Sequence, residues 1–258
     1  MMTTRQSSSL LLQAMWCSFE DPTSVFIVMP LQRCSLRDRL AMSKDTPITP
    51  GDQILYMAEM VQALEDLHAL NIVHRDLKPD NFLLNKKGHV VLSDFGVAHQ
   101  FGHSHRSMWK LGGAAGDFYY MAPEMHPISP PGDPVVKFGS YDERADIWSL
   151  GLTFLQMALG LKKNFFIAIM EQDGGSRHVE GPPSFEAIQG ALCGLQDSYL
   201  HNLLVWMLRK DPESRPSLTK VKHHDYFHNV NWEQVKSHSF GDRESLSMNT
   251  SFDRWRMD

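Results

Sequence analysis

The chain of 258 residues carries 25 Lys and Arg against 30 Asp and Glu, a formal charge of −5, with 42% hydrophobic and 21% charged residues. This composition is ordinary for one large globular domain or two small ones, and it excludes collagen-like, low-complexity and wholly disordered chains. No stretch is basic enough to track a phosphate backbone, so no nucleic-acid partner is expected.

The three cysteines, Cys17, Cys34 and Cys193, are odd in number and widely spaced, which fits neither a disulfide framework nor a zinc site. The longest apolar runs, Val25 to Leu31 and Phe165 to Met170, fall far short of the ~20 residues that span a bilayer. The opening MMTTRQSSSLLLQAM has one Arg and one leucine triplet, too little for a signal peptide. The expectation is a reducing, intracellular setting, cytoplasmic or nuclear, with no membrane partner.

Two β-like runs come first, Leu10 to Phe19 and Val25 to Leu31, joined by the turn-rich Glu20-Asp21-Pro22-Thr23-Ser24, and they predict a hairpin. From Pro50 the apolar residues Ile54, Ala58, Val61, Leu64 and Leu67 recur at helical spacing. Thr49 is placed to cap, Pro50 opens the first turn and Asn71 can stop the helix after about twenty residues. Short strands are expected at Asn71 to Val73, Phe82 to Asn85 and Val90 to Ser93, the last two joined by the turn Lys86-Lys87-Gly88. Residues 97–117, rich in Gly, His and Ser, read as a mobile loop, and His126 to Ser140, with four prolines, as a surface insertion. Helical patterns return at Arg144 to Leu161, Phe185 to Leu195 and Tyr199 to Leu208 before a polar tail. No internal repeat is found.

Chemistry concentrates in His74-Arg75-Asp76-Leu77-Lys78-Pro79-Asp80-Asn81, followed thirteen residues after Asn81 by Asp94-Phe95-Gly96 and then by Ala122-Pro123-Glu124. Each match alone is weak; the three in this order and spacing form a joint signal. Here the sequence resembles the eukaryotic protein kinases, and Lys78, two residues after Asp76, resembles their serine/threonine branch. Asp146-Ile147-Trp148-Ser149-Leu150-Gly151 is similar to the family's buried central helix, and Asp211-Pro212-Glu213-Ser214-Arg215-Pro216 to its late arginine motif. More softly, Lys222-His223-His224-Asp225-Tyr226-Phe227 followed by Asn231-Trp232 resembles the domain close of the AGC group, whose hydrophobic tail motif is absent from Lys236 to Asp258.

The resemblance implies an α+β, protein-kinase-like fold with a truncated β-rich N-lobe and a complete, mainly helical C-lobe. Residues 1–9 are then a disordered N-terminus, 10–235 the domain (10–31 the small-lobe remnant and hinge, 32–235 the large lobe) and 236–258 a polar tail. It implies ATP and Mg²⁺ as cofactors and a protein substrate phosphorylated on serine or threonine. Asp76 accepts the hydroxyl proton and Lys78 supplies positive charge as the catalytic pair; Asn81 and Asp94 are the metal ligands. Met29, Leu31 and Leu83 contact adenine, with the hinge in Met29 to Gln32. Asp146 bonds the backbone of the His-Arg-Asp turn, Glu124 pairs with Arg215, and His74 stacks with Phe95. Ser104 and Ser107 are candidate acceptors for a phosphate that pairs with Arg75, equally readable as ordinary loop serines.

The pattern breaks in two places. The first glycine is Gly51 and the first lysine Lys44, so the family's glycine-rich loop, its paired lysine and the glutamate that fixes it have no counterpart upstream of His74. Asp117 occupies the place where serine/threonine kinases usually have a threonine, and a carboxylate there competes for Lys78. The main expectation is therefore an incomplete chain of a longer kinase, completed by a small-lobe segment or regulatory partner. The alternatives are a pseudokinase acting as a binding module and a non-functional fragment exposing an apolar face. Of thirteen histidines, His99, His103, His105 and His223, His224, His228 invite a metal reading, against which no carboxylate or cysteine pattern stands beside them. Solvated or satisfied imidazoles are the stronger expectation.

Overall fold

The computed structural model describes residues 9–42, 47–102, 110–128, 138–160 and 183–239. The expected hairpin forms from β1 (Cys17–Glu20) and β2 (Val25–Val28), antiparallel with Cys17 opposite Val28 and Glu20 opposite Val25. Its turn is set by Asp21, whose Oδ1 accepts from the backbone N–H groups of Thr23 and Ser24 at 2.8 and 2.9 Å. Phe19 and Phe26 stack across the strands with ring centroids 4.9 Å apart. Apolar side chains nonetheless face solvent: Trp16 is 71% exposed, Val25 69% and Ile27 56%.

The first strand starts at Cys17 rather than Leu10. Residues Leu11 to Gln13 instead join the large lobe, with Leu92 N donating to Leu11 O at 2.7 Å and Gln13 N to Leu92 O at 2.8 Å. Leu11 is fully buried there. Burial of Leu11 and Leu12 in the core outweighs continuation of an exposed strand.

After the linker come β3 (Cys34–Ser35) and α1 (Leu36–Ala41), neither expected from the sequence. The helix nonetheless has a local signal, the capping box of Ser35 with Asp38, in which each side chain bonds the other's backbone. Next, α2 (Pro50–Ala69) starts where expected, Thr49 accepting from Asp52 N with Pro50 in the first turn. It is buried almost all round from Tyr56 to Leu64, as a central core helix must be. Asn71, at φ 61°, then turns the chain into β4 (Ile72–Val73).

The strands β5 (Phe82–Leu84) and β6 (Val90–Leu92) pair antiparallel, and β3 adds to the far edge of β5. Part of the expected loop is ordered: β7 (His99–Gln100) pairs with β4. The second half is helical, with α3 (Arg144–Leu159), α4 (Phe185–Leu192), α5 (Ser198–Met207), α6 (Leu218–Lys222) and α7 (Trp232–Ser237). Ser184, Asp197, Ser217 and Asn231 cap the last four through their side chains. A single core joins Leu11, α2, α3, α5 and the Tyr226-Phe227 pair. Most of the proline-rich stretch, Ser104, Ser107, His103, His105 and the tail beyond Ser239 lie outside the described residues. No described helix is long and apolar enough to cross a membrane.

The two anchors of the N-terminal segment separate energetically. Leu11→Ala, which empties a fully buried site, is expected to destabilise the protein by about 2 to 5 kcal/mol. Phe19→Ala, on the exposed hairpin, should cost less than about 1.5 kcal/mol. Urea unfolding of the two variants checks this ranking.

Candidate active site

The site is assembled on the turn between β4 and β5. Arg75 there has φ 69°, a left-handed conformation that costs a non-glycine residue about 1 to 2 kcal/mol. The turn is held by Asp146 at the start of α3, whose carboxylate accepts the backbone N–H of His74 at 2.8 Å and of Arg75 at 2.9 Å. His68 Nε2, near the end of α2, lies 2.8 Å from the same carboxylate. Burial alone raises the pKa of this fully buried acid, but the hydrogen bond and charge of His68, together with the backbone N–H of His74, outweigh it and hold Asp146 below the usual carboxylate range. His68 was not anticipated; its signal was a polar residue four positions after Leu64 on the inward face of α2.

Asp76 is mostly buried and fully engaged. Its Oδ2 accepts from Lys78 Nζ at 2.9 Å and Asn81 Nδ2 at 3.0 Å, and its Oδ1 from Asp117 N at 2.6 Å. Asn81 Nδ2 also donates to Asp76 O at 2.7 Å, so the amide hydrogens serve Asp76 and its carbonyl oxygen is left for a ligand. Burial works against the Lys78 ammonium, yet the hydrogen bond and charge of Asp76, then Asp117, hold its pKa above the ordinary value.

The Asp-Phe-Gly segment is bound to the same turn. Ser93 N and Ser93 Oγ both donate to Asn81 O at 2.9 Å, and His74 Nε2 bonds Ser93 O at 2.9 Å. Asp94 follows at φ 61°, exposed, its Oδ1 accepting from Gly96 N at 3.3 Å. His74 and Phe95 meet edge to face, ring centroids 5.5 Å apart. Arg75 Nε donates to Val97 O at 2.6 Å, so its guanidinium already secures the segment after the glycine.

Asp117 stands where expected to interfere, its Oδ2 3.6 Å from Lys78 Nζ. The preceding Gly116 makes this approach possible: at φ +86° a Cβ would sit 2.2 Å from Arg75 O and 2.9 Å from Asp76 Oδ1. Arg215 and Glu124 form a two-pronged ion pair, both bonds 2.7 Å, that fixes the end of this segment to the late helices.

The structure thus brings Asp76, Lys78 and Asn81 into direct contact and ties Asp94 to them through Ser93. Leu83 is half-buried on β5, opposite Val91. Met29 and Leu31 are exposed, and no hydrogen bond among the described residues links them to the acidic cluster. Their linker is instead clamped by Gln13, whose Nε2 donates to Pro30 O at 3.0 Å and whose Oε1 accepts from Gln32 Nε2 at 2.7 Å. No sequence signal marked Gln13. Of the two histidine groups only the second lies wholly among the described residues, and its members bond separately: His223, His224 and His228 to Thr219 O, Asn202 Oδ1 and Asp225 O.

The Asp76 carboxylate and the Lys78 ammonium are thus in direct contact, with Asn81 bonded to Asp76 and Asp94 on the segment bonded to Asn81. The chain matches the protein kinase domain over residues 3–227 and belongs to the protein kinase family. Its relatives are of the serine/threonine type. It is 33% identical over 188 residues to serine/threonine-protein kinase AtPK2/AtPK19 of Arabidopsis thaliana, covering 71% of this chain and 35% of that one. It is 31% identical over 222 residues to human serine/threonine-protein kinase 32B, covering 86% of this chain and 50% of the relative. With 3-phosphoinositide-dependent protein kinase B of Dictyostelium discoideum it shares 31% over 230 residues, 85% of this chain and 22% of the relative. The chain therefore spans about a third of the Arabidopsis relative's length.

His74 yields a pH prediction. Burial lowers its pKa below the ordinary 6.5, against the charge of Asp146. Its Nδ1 accepts Asp76 N at 3.3 Å, so the folded state holds it neutral while the unfolded chain protonates it near pH 6.5. Stability is therefore complete above pH 6.5 and is lost as pH falls below it, the unfolded state binding the extra proton. Unfolding free energies measured from pH 7.5 to 5 should show this slope, reduced in His74→Phe.

Proposed function

We propose that this chain supplies the catalytic large lobe of a serine/threonine protein kinase that moves the γ-phosphoryl group of ATP to a hydroxyl of a protein substrate. The observation that carries this reading is the mutual bonding of Asp76, Lys78 and Asn81, with the Asp76 carboxylate further fixed by the backbone N–H of Asp117. Asp76, held on both oxygens, is oriented to align the substrate hydroxyl and to take its proton. Lys78 places a positive charge beside the reacting group.

The residues fit a magnesium ion. Asn81 keeps a carbonyl oxygen after spending its amide on Asp76, and Asp94 presents a carboxylate on an exposed left-handed residue, both the hard oxygen donors this ion prefers. Bound there, magnesium supplies neutralisation of phosphate charge. Leu83 lies under the adenine, with Met29 and Leu31 at its edge, and a small-lobe segment or regulatory partner covers the phosphates. An intracellular setting, cytoplasmic or nuclear, belongs to this reading.

A second reading, a binding module without phosphotransfer, is favoured by Asp117, whose carboxylate draws on the same ammonium as Asp76. One experiment separates the two. On the kinase reading, Mg-ATP raises the melting temperature of the chain and of Asp76→Asn, and the rise disappears in Asp94→Asn. The absence of any magnesium-dependent rise would falsify the kinase reading and leave the module.

Two activity measurements follow from the geometry. In protein whose phosphotransfer is measurable, Asp76→Asn should lower kcat by roughly 10²- to 10⁴-fold. Asp117→Thr, which frees Lys78 from its second carboxylate, should raise kcat, and an unchanged or lower value would refute the competition.

A further inference from the structure

Far from the cleft, three side chains separated widely in the sequence converge behind β6. Glu59 projects from α2, His89 precedes β6, and His238 follows α7 at φ 50°. Glu59 and His89 are buried, and Glu59 Oε1 accepts from His89 Nδ1 at 2.7 Å while its Oε2 accepts from Val90 N at 2.8 Å. The His238 ring lies on that of His89, centroids 4.4 Å apart and planes 8° from parallel. One ligating atom from each of the three falls within 4.8 Å of the others.

We propose that Glu59, His89 and His238 form a structural zinc site that pins α7 to α2. Two imidazole nitrogens and one carboxylate oxygen are a borderline-soft donor set, which selects zinc over magnesium or calcium, whose preference is for oxygen alone. Glu59 brings a negative charge into the core, and a divalent cation neutralises it more fully than a shared proton. On binding, the ion takes the place of the hydrogen between Glu59 Oε1 and His89 Nδ1, and that proton passes to Nε2 of the same ring. His238 turns about its Cβ–Cγ bond to aim its lone pair at the ion, since parallel rings do not converge on one point. Water fills the fourth position of the tetrahedron.

No local pattern marks this trio, because its members are thirty and then well over a hundred residues apart. The proposal is independent of the phosphotransfer reading. Its test uses the full chain, stripped with a chelator and titrated with Zn²⁺ by calorimetry, with thermal melts in parallel. The expected result is one equivalent bound with a rise in melting temperature. In His238→Ala, which leaves the buried Glu59 and His89 in place, binding should weaken by at least about tenfold and the rise should vanish. His238→Cys, retaining a zinc ligand, should restore both. The proposal is overturned if zinc leaves the melting temperature unchanged. It is equally overturned if His238→Ala titrates like the parent while His223→Ala with His224→Ala does not.

Discussion

The arrangement of this molecule depends on one buried carboxylate. Asp146 has no exposed surface and gathers the backbone N–H groups of the adjacent His74 and Arg75 and the His68 ring at the end of α2. Without that acceptor the left-handed Arg75 would relax, since nothing in its own residue type favours the conformation. With it, the peptide direction at Asp76 is fixed, and Asn81, Ser93 and Asp117 take their places by bonding to Asp76 or to one another. The geometry of the cleft is in this sense a product of how α2 and α3 pack, not of the loop that carries the reactive groups.

Legibility followed the range of the interactions. α2 and α3 were readable because Thr49, Pro50 and the apolar period are local signals, and Asp76, Lys78 and Asn81 because six residues of chain contain them. Asp94, Asp146 and the Glu124 to Arg215 pair were reached through motifs whose spacing stands in for contact. What escaped was long-range: Leu11 pairing with Leu92, Gln13 clamping Pro30, His68 joining Asp146, and His238 lying on His89. Apart from His68, whose place on the inward face of α2 follows the helical period, none of these has a periodic or compositional trace. β3 and α1 were missed for another reason, being too short for a period to accumulate, although the Ser35 and Asp38 pair was a fair local sign.

The two ends of the cleft are finished differently. On the large-lobe side Asp76 and Asn81 are buried. On the other side a two-stranded ribbon carries Trp16, Val25 and Ile27 into solvent, and a ribbon of that size is marginal by itself in water. Its stability is borrowed from the Leu11 to Gln13 segment that inserts beside β6, and its linker is tied down again by Gln13. Beyond the linker, Arg33 N donates to Leu84 O at 2.8 Å, so both ends of the hairpin are tied to the sheet of β5 and β6.

Gly116 has a consequence at the level of inheritance. Every single-base missense change of a glycine codon introduces a Cβ, and here that atom meets the Arg75 carbonyl at 2.2 Å and the Asp76 carboxylate at 2.9 Å. Whatever residue such a change introduced, its first effect would fall on the turn that carries Arg75 and Asp76.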